Sequence, residues 1–342
     1  MSEDAPSELR RVRMAGAPHD IGHALGRAGR DAVHDVLRPL DYWVAVNSPA
    51  HDHVVARMAL RTKALFPWIF EELQGLADGL GLPFAQVMAW NCRGDLMSNV
   101  PDGCTTLQFP GDVPVIAHNE DGLPDFRGHV LLVDAAPLDA PDFTALCYPG
   151  SIPGHTFSVT GAGLVQAVNN LRLRDVRPQI PRMVLGRAVL ACRSVRAAID
   201  LLARENNSGG FHFTLAQAGE GVVHSVEFGG GGMVHRQIDT PSAHANHALH
   251  LDHAQGQIVT QSSADRQRRV TDLIDAGARN VLAMLRDTGE QGLPVHRCQP
   301  DDPDHENTLA TAIIHVEKGG LSWKVYDQKS TGPVHAGSDI AR

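Results

Sequence analysis

The chain has 342 residues, 43% of them apolar and 20% charged, enough hydrophobic material for a core and too little charge for a disordered chain. Its formal charge of −9 argues against nucleic acid or an anionic membrane as the main partner, because both need basic surface. No apolar run reaches the roughly 18–20 residues that span a bilayer, and the acidic start Met1-Ser2-Glu3-Asp4 lacks the basic and apolar regions of a signal peptide, so the expected compartment is the cytoplasm.

The first hundred residues read as helical. From Asp20 to Leu37, Ile21, Leu25, Ala28, Ala32 and Val36 recur at spacings near four and make one helical stripe. Ile69, Leu73, Leu76, Ala77 and Leu80 make a second, with Gly81 and Pro83 as its stop, and Pro83 to Asn91 reads as a further short helix. The pattern changes near residue 100. After the turn sequence Pro101-Asp102-Gly103 come short strand-like runs at Cys104–Phe109, Val113–His118, His129–Val133, Thr156–Thr160 and Gly163–Asn170. One helix is expected from Pro181 and another from an N-cap at Ser194 through Leu202. Strands resume at Phe211–Gln217 and Val222–Phe228. Residues 263–287 read as helical, and Thr311–Glu317 with Leu321–Tyr326 form a hairpin around Lys318-Gly319-Gly320. Blocks of strands between blocks of helices predict an α+β layering and not a βαβ alternation.

Five cysteines, Cys92, Cys104, Cys147, Cys192 and Cys298, are scattered without a CxxC pair and do not read as a disulfide framework. Cys104 differs from the others. It opens a strand directly after an Asp-Gly turn, whereas a packing cysteine more often sits inside an apolar run. A glycine before it allows a strained peptide bond and leaves the Gly103 carbonyl open to the neighbouring thiol. Attack would convert the amide into a thioester, and water would then free a new N-terminus. The released α-amine, with an ordinary pKa of roughly 7.7–8.0, can take the thiol proton, so one residue supplies nucleophile and base.

The motifs around Cys104 resemble those of the acyl-coenzyme A:6-aminopenicillanic acid acyltransferase family, the C45 peptidases of the Ntn-hydrolase superfamily. Asp20-Ile21-Gly22-His23-Ala24-Leu25-Gly26 looks like the family's opening helix, and Glu72-Leu73-Gln74-Gly75-Leu76-Ala77-Asp78-Gly79 like its second, glycine-punctuated helix. Asn91-Cys92-Arg93-Gly94-Asp95-Leu96 is similar to the segment before the cut, and Asp102-Gly103-Cys104-Thr105-Thr106 to the processing site. Asn119-Glu120-Asp121 and His244-Ala245-Asn246-His247 resemble the family's Asn-x-Asp and Asn-His motifs.

The resemblance implies a four-layered αββα fold, with residues 1–103 as a mainly helical small subunit that stays bound and 104–342 carrying the two sheets. It implies Cys104 as nucleophile, with Gly103 and Thr105 also at the processing site. Asn246 would be the oxyanion donor, and Asp121 would lie near the new α-amine. Thr106, Asn119 and His247 would line the substrate. His305, in Asp304-His305-Glu306-Asn307-Thr308-Leu309, stands near where the penicillin acyltransferase has an arginine, a departure that bears on the substrate. The expected reaction is attack on a small N-acyl or β-lactam-like amide, or an acyl thioester, resolved by water or an amine, without cofactor; a homo-oligomer is possible. His244, His247, His250 and His253 recur every third residue, a spacing that matches no familiar zinc pattern, so no metal is expected. Two other readings stand beside this one. Cys104 could pair with a histidine in an uncleaved hydrolase, or the chain could be a binding protein that keeps the fold.

Overall fold

The structure is a computed structural model that describes residues 9–99, 103–252, 256–289, 291–299 and 301–340. Pro101 and Asp102 of the expected turn, and His253 of the histidine series, lie outside the described residues. The chain begins with strand β1 (Arg10–Gly16) and continues through helices α1 (Pro18–Ala32), α2 (Asp41–Val46), α3 (Asp52–Leu65), α4 (Pro67–Leu80), α5 (Phe84–Asn91) and α6 (Arg93–Leu96). Strands β2 (Gly103–Phe109), β3 (Val115–Gly122), β4 (Leu131–Pro137), β5 (Phe143–Cys147), β6 (Phe157–Thr160) and β7 (Leu164–Leu171) follow. After α7 (Arg182–Val189) and α8 (Val195–Arg204) come β8 (Gly210–Gln217), β9 (Val223–Gly229), β10 (Gly232–Ile238) and β11 (Ser242–His244). Helices α9 (Gln261–Asp275) and α10 (Val281–Leu285) precede β12 (Asn307–Glu317), β13 (Gly320–Asp327) and β14 (His335–Ile340).

The strands form two sheets. One has eight strands in the order β1-β4-β5-β6-β7-β8-β9-β10, the other six in the order β11-β2-β3-β12-β13-β14. They stack face to face: Leu132, Phe157 and Val159 of the first enclose a small apolar gap with Ala312, Ile314 and Trp323 of the second. Helices α1, α4 and α7 cover the outer face of the eight-stranded sheet. Helices α9 and α10 cover the other, packing Val270, Met284 and Leu285 on Leu107, Ala117 and Ile313. This is the four-layered αββα arrangement, each sheet shielded by helices on one face and by the other sheet on the second.

Three features depart from the sequence reading. The N-terminal segment is not wholly helical: Arg10–Gly16 pairs in parallel with Leu131–Pro137, so the eight-stranded sheet draws one edge strand from before residue 103. Only part of this strand is buried, which is why it carries no clean alternation. The expected helix over 263–287 is also two helices, because the chain turns at Gly277 with φ +86°. The first helical stripe shifts as well. A wider π turn over Val33–Leu37 changes the phase, so Val33 and Leu37 are buried in place of Val36.

The glycines of the N-terminal helices act through close approach. Helices α1 and α4 pack backbone to backbone, and a Cβ on Gly22 would lie 1.9 Å from the Glu72 carbonyl oxygen. A Cβ on Gly75 would lie 2.0 Å from that of His19. Nearby, the buried Glu72 carboxylate takes the Arg187 guanidinium at 2.8–3.1 Å, and that guanidinium lies over Trp68 and Phe143. The helical layer is thus tied to α7 and to the sheet beneath. At an exposed helical site, alanine in place of glycine gains about 1 kcal/mol. Gly75→Ala is expected to do the reverse and lower the urea midpoint of unfolding, because the added methyl has only backbone to displace.

Candidate active site

Cys104 stands at the start of β2, 2% exposed, and β2 pairs antiparallel with β3 so that Cys104 faces Glu120, Thr105 faces Asn119 and Thr106 faces His118. Directly opposed residues project to the same side of a sheet and neighbours alternate. The pleat therefore sorts the expected site residues and their neighbours. Cys104, Glu120, Thr106 and His118 point between the sheets, while Thr105, Asn119 and Asp121 point towards α9 and α10.

On the inter-sheet side, Cys104 Sγ lies 3.6 Å from Glu120 Oε2, and the same oxygen lies 3.1 Å from His118 Nε2. His118 Nδ1 is 2.8 Å from the Thr106 hydroxyl, which donates to Asn169 Oδ1 at 2.7 Å. Burial pushes the His118 pKa down to about 3, so the ring is neutral. Among the described residues, Cys104, His118 and Glu120 are the set whose ligand-type atoms all lie within 4.8 Å of one another, the span a metal ion would need. Their contacts are those of a hydrogen-bond chain that continues to Thr106 and Asn169, and we read them as such.

The backbone of Cys104 is held from the other side. Its N–H donates to Asn246 Oδ1 at 2.9 Å, and its carbonyl accepts from Arg266 Nη1. Arg266 also donates to Thr105 Oγ1 at 2.9 Å and to Asn246 Oδ1 at 2.6 Å. Asn246 Nδ2 donates to the Asn170 carbonyl at 3.2 Å. With two donors on one side and an acceptor on the other, the Asn246 amide has a single orientation. It presents an acceptor, not a donor, to Cys104. The Asn246 backbone N–H donates to Ser263 Oγ, which also lies 2.8 Å from His247 Nδ1. His247 is therefore tied to α9, and burial, with the charges of His244 and Arg266, lowers its pKa to about 4.

Asn119 and Asp121 serve the outer side. Asn119 Nδ2 donates to the Leu285 carbonyl at 2.8 Å and its Oδ1 accepts from Thr311, which fastens α10 to the sheet. Asp121 Oδ1 accepts from Thr308 at 2.6 Å, and its buried Oδ2 has no hydrogen-bond partner. His305 is left out of the group: it is exposed on a bend with φ +56°. The next residue, Glu306, is the one that turns inward. Its carboxylate takes Arg172 at 2.9 Å and Arg297, and burial raises its pKa against those cations. Glu306 also explains the glycine. Gly103 is not in the left-handed region, so backbone strain does not select it; a Cβ there would lie 2.1 Å from Glu306 Oε2.

Sequence reading missed Arg266, Glu306, His118 and the role of Glu120. Arg266 was detectable, because Ser262, Arg266 and Val270 recur every fourth residue on the buried face of α9. Three of the other cysteines are unsuited to nucleophilic work. Burial pushes the Cys92 and Cys147 thiols well up, and the Cys192 thiol up to about 11.

The model of the acyl-coenzyme A:6-aminopenicillanic acid acyl-transferase family matches residues 109–330 of the chain. The chain belongs to that family. The match begins after Cys104 and ends before β14, so it does not cover that cysteine. A Drosophila melanogaster relative, beta-alanyl-dopamine/carcinine hydrolase, is 27% identical over 213 residues, 55% of this chain; the chain spans only 55% of that relative's length. A solved structure of a mutant conjugated bile acid hydrolase from Clostridium perfringens covers 69% of this chain and 92% of its own, at 12% identity and a TM-score of 0.41, too loose a superposition to carry an argument. No helix among the described residues is long and apolar enough to cross a membrane.

The turn bearing Asn246 is set by Glu227 of β9. That carboxylate bonds His244 at 2.8 Å and takes the backbone N–H groups of Leu249, His250 and Leu251. Burial alone would raise its pKa, but His244 and these amides outweigh it and hold the value at about 2, against 4.5 ordinarily. A depressed folded-state pKa gives stability that is complete above about pH 4.5 and lost as pH falls through about 2, on the order of 3 kcal/mol. Glu227→Gln is expected to lower the thermal midpoint at pH 7 and to flatten its decline between those pH values.

Proposed function

We propose that the chain is a self-processing N-terminal-cysteine amide hydrolase or acyltransferase, cut between Gly103 and Cys104. The observation that carries this reading is the grip on Cys104. A buried thiol lies beside a carboxylate while its own peptide N–H is held by Asn246 and its carbonyl by Arg266. A thiol that is 2% exposed is screened from an outside substrate but adjacent to its own preceding peptide bond. The uncleaved Cys–His alternative fares worse, because the group against sulfur is a carboxylate and His118 stands behind it.

After the cut, the Cys104 α-amine would act as base and the thiolate would attack a small amide or acyl thioester to form a thioester acyl-enzyme. Water or an amine would resolve it. An N-acyl amine is the favoured substrate class, since the Drosophila relative's name describes hydrolysis of such amides; a β-lactam-like amide is the second. The helical segment would stay bound through β1 in the sheet, through Glu72 to Arg187, and through Asp95, which accepts from the Arg182 and Gly209 backbones.

Intact-mass spectrometry of wild type beside Cys104→Ala tests the proposal. Two fragments, 1–103 and 104–342, are expected from wild type and one uncut mass from the variant. A single uncut mass from both would overturn it.

A further inference from the structure

We propose that Glu120, backed by His118, is the proton acceptor for the Cys104 thiol in the uncut chain; this rests on the self-cleavage reading above. The self-sufficient chemistry of an N-terminal cysteine has a gap at its first turnover. Before the cut, the Cys104 nitrogen is an amide whose N–H is donated to Asn246 Oδ1 at 2.9 Å, so the α-amine that later serves as base does not yet exist. Another group must take the thiol proton. Glu120 is the cross-strand partner of Cys104, on the same face, with Oε2 3.6 Å from Sγ.

The surrounding hydrogen bonds fix where the protons sit. Asn169 Nδ2 donates to the His244 carbonyl at 3.1 Å, which turns Asn169 Oδ1 towards Thr106. The Thr106 hydroxyl donates its one hydrogen to that oxygen at 2.7 Å, so it accepts from His118 Nδ1–H at 2.8 Å. With Nδ1 protonated, the neutral ring turns the lone pair of Nε2 towards Glu120 Oε2, 3.1 Å away. A carboxylate facing a lone pair is a poor contact, and a protonated carboxyl facing one is a hydrogen bond. A proton moved from sulfur to Glu120 thus meets an acceptor already in place. The charged and titratable groups packed around this pocket include Arg266 on α9, Glu306 and Arg297 beside Gly103, Arg172 on Glu306, and His212 on β8 with His244 of β11 stacked on it.

The sequence balances with one water molecule as the added reagent. The Sγ–H proton passes to Glu120, and sulfur bonds to the Gly103 carbonyl carbon. The bond from that carbon to the Cys104 nitrogen then breaks, and the proton on Glu120 goes to nitrogen, which becomes the primary amine. Water cleaves the thioester, returning a proton to sulfur and completing the Gly103 carboxyl group.

The experiment is cell-free synthesis of the full chain followed over time by intact mass from pH 6 to 9. Wild type is expected to cut at a rate that varies little with pH. Glu120→Gln, nearly isosteric, is expected to cut about 100-fold more slowly at pH 7 and to gain about tenfold per pH unit, as hydroxide takes over the proton. His118→Asn is expected to slow cutting about tenfold. Thermal melting followed by circular dichroism shows that each variant is folded. A folded Glu120→Gln chain that cuts at the wild-type rate, or slowly but without the rise with pH, overturns the proposal. Should Glu120→Gln not fold, wild-type cutting by His118→Asn does the same. Loss of wild-type cutting in EDTA would assign Cys104, His118 and Glu120 to a metal ion and overturn it too. Failure of wild type to cut at all would sink the self-cleavage reading itself, whereas wild-type cutting with Glu120→Gln unimpaired would sink this inference alone.

Discussion

The guanidinium of Arg266 is the contact on which the site depends. It is fully buried, and it joins two pieces of chain that are distant in sequence: β2, through the Cys104 carbonyl and the Thr105 hydroxyl, and the turn that bears the Asn246 side chain. A planar cation with several fixed donors can do this where a lysine could not, because each donor direction is already set. Helix α9 exists in this place to deliver it. Thr260 caps the helix, Ser263 in its first turn receives the Asn246 backbone, and Arg266 follows one turn later. The burial penalty of the charge is offset by these bonds and by the acidic groups around it, Asp121 and Glu306.

The period of two in β2 and β3 decides which residues face the other sheet and which face the helices. Along His118-Asn119-Glu120-Asp121, two side chains enter the space between the sheets and two lie on the helix-covered side. Asn119 donates to the Leu285 carbonyl at the end of α10, and Asp121 accepts from Thr308 at the start of β12. A motif of four adjacent residues therefore serves two layers at once, and its polar composition does not mean that all four meet a substrate.

Much of the fold was legible because it rests on periodicity. The stripe Ile69, Leu73, Leu76 and Leu80 is buried as its spacing requires, Gly81 adopts the left-handed turn with φ +68°, and Ser194 caps α8 by accepting from Ala197. The runs from Cys104, Phe211 and Thr311 are strands. Legibility failed where the signal was short or shared. Arg10–Gly16 is held by pairing with β4 and not by its own pattern, and β5, β10 and β11 are brief or half exposed. In the site, Cys104 and Asn246 stood out by motif, and they do meet. Glu306 was out of reach, since nothing in Asp304-His305-Glu306 tells which of the three turns inward. The positive φ at His305 decides it, and that is a property of the folded bend.

The parallel pairing of β1 with β4 has a consequence for any chain broken at Gly103. Both halves would share one sheet, yet neither would ever have had to find the other, because they folded while joined. Assembly would be unimolecular and indifferent to protein concentration. The reverse journey would not be symmetrical. Once the N-terminal piece left, its return would be a collision between two separate molecules, which costs an estimated 4–15 kcal/mol of translational and rotational freedom. Such a protein would be held in its active form by history as much as by affinity, and heating it past separation would be a one-way event.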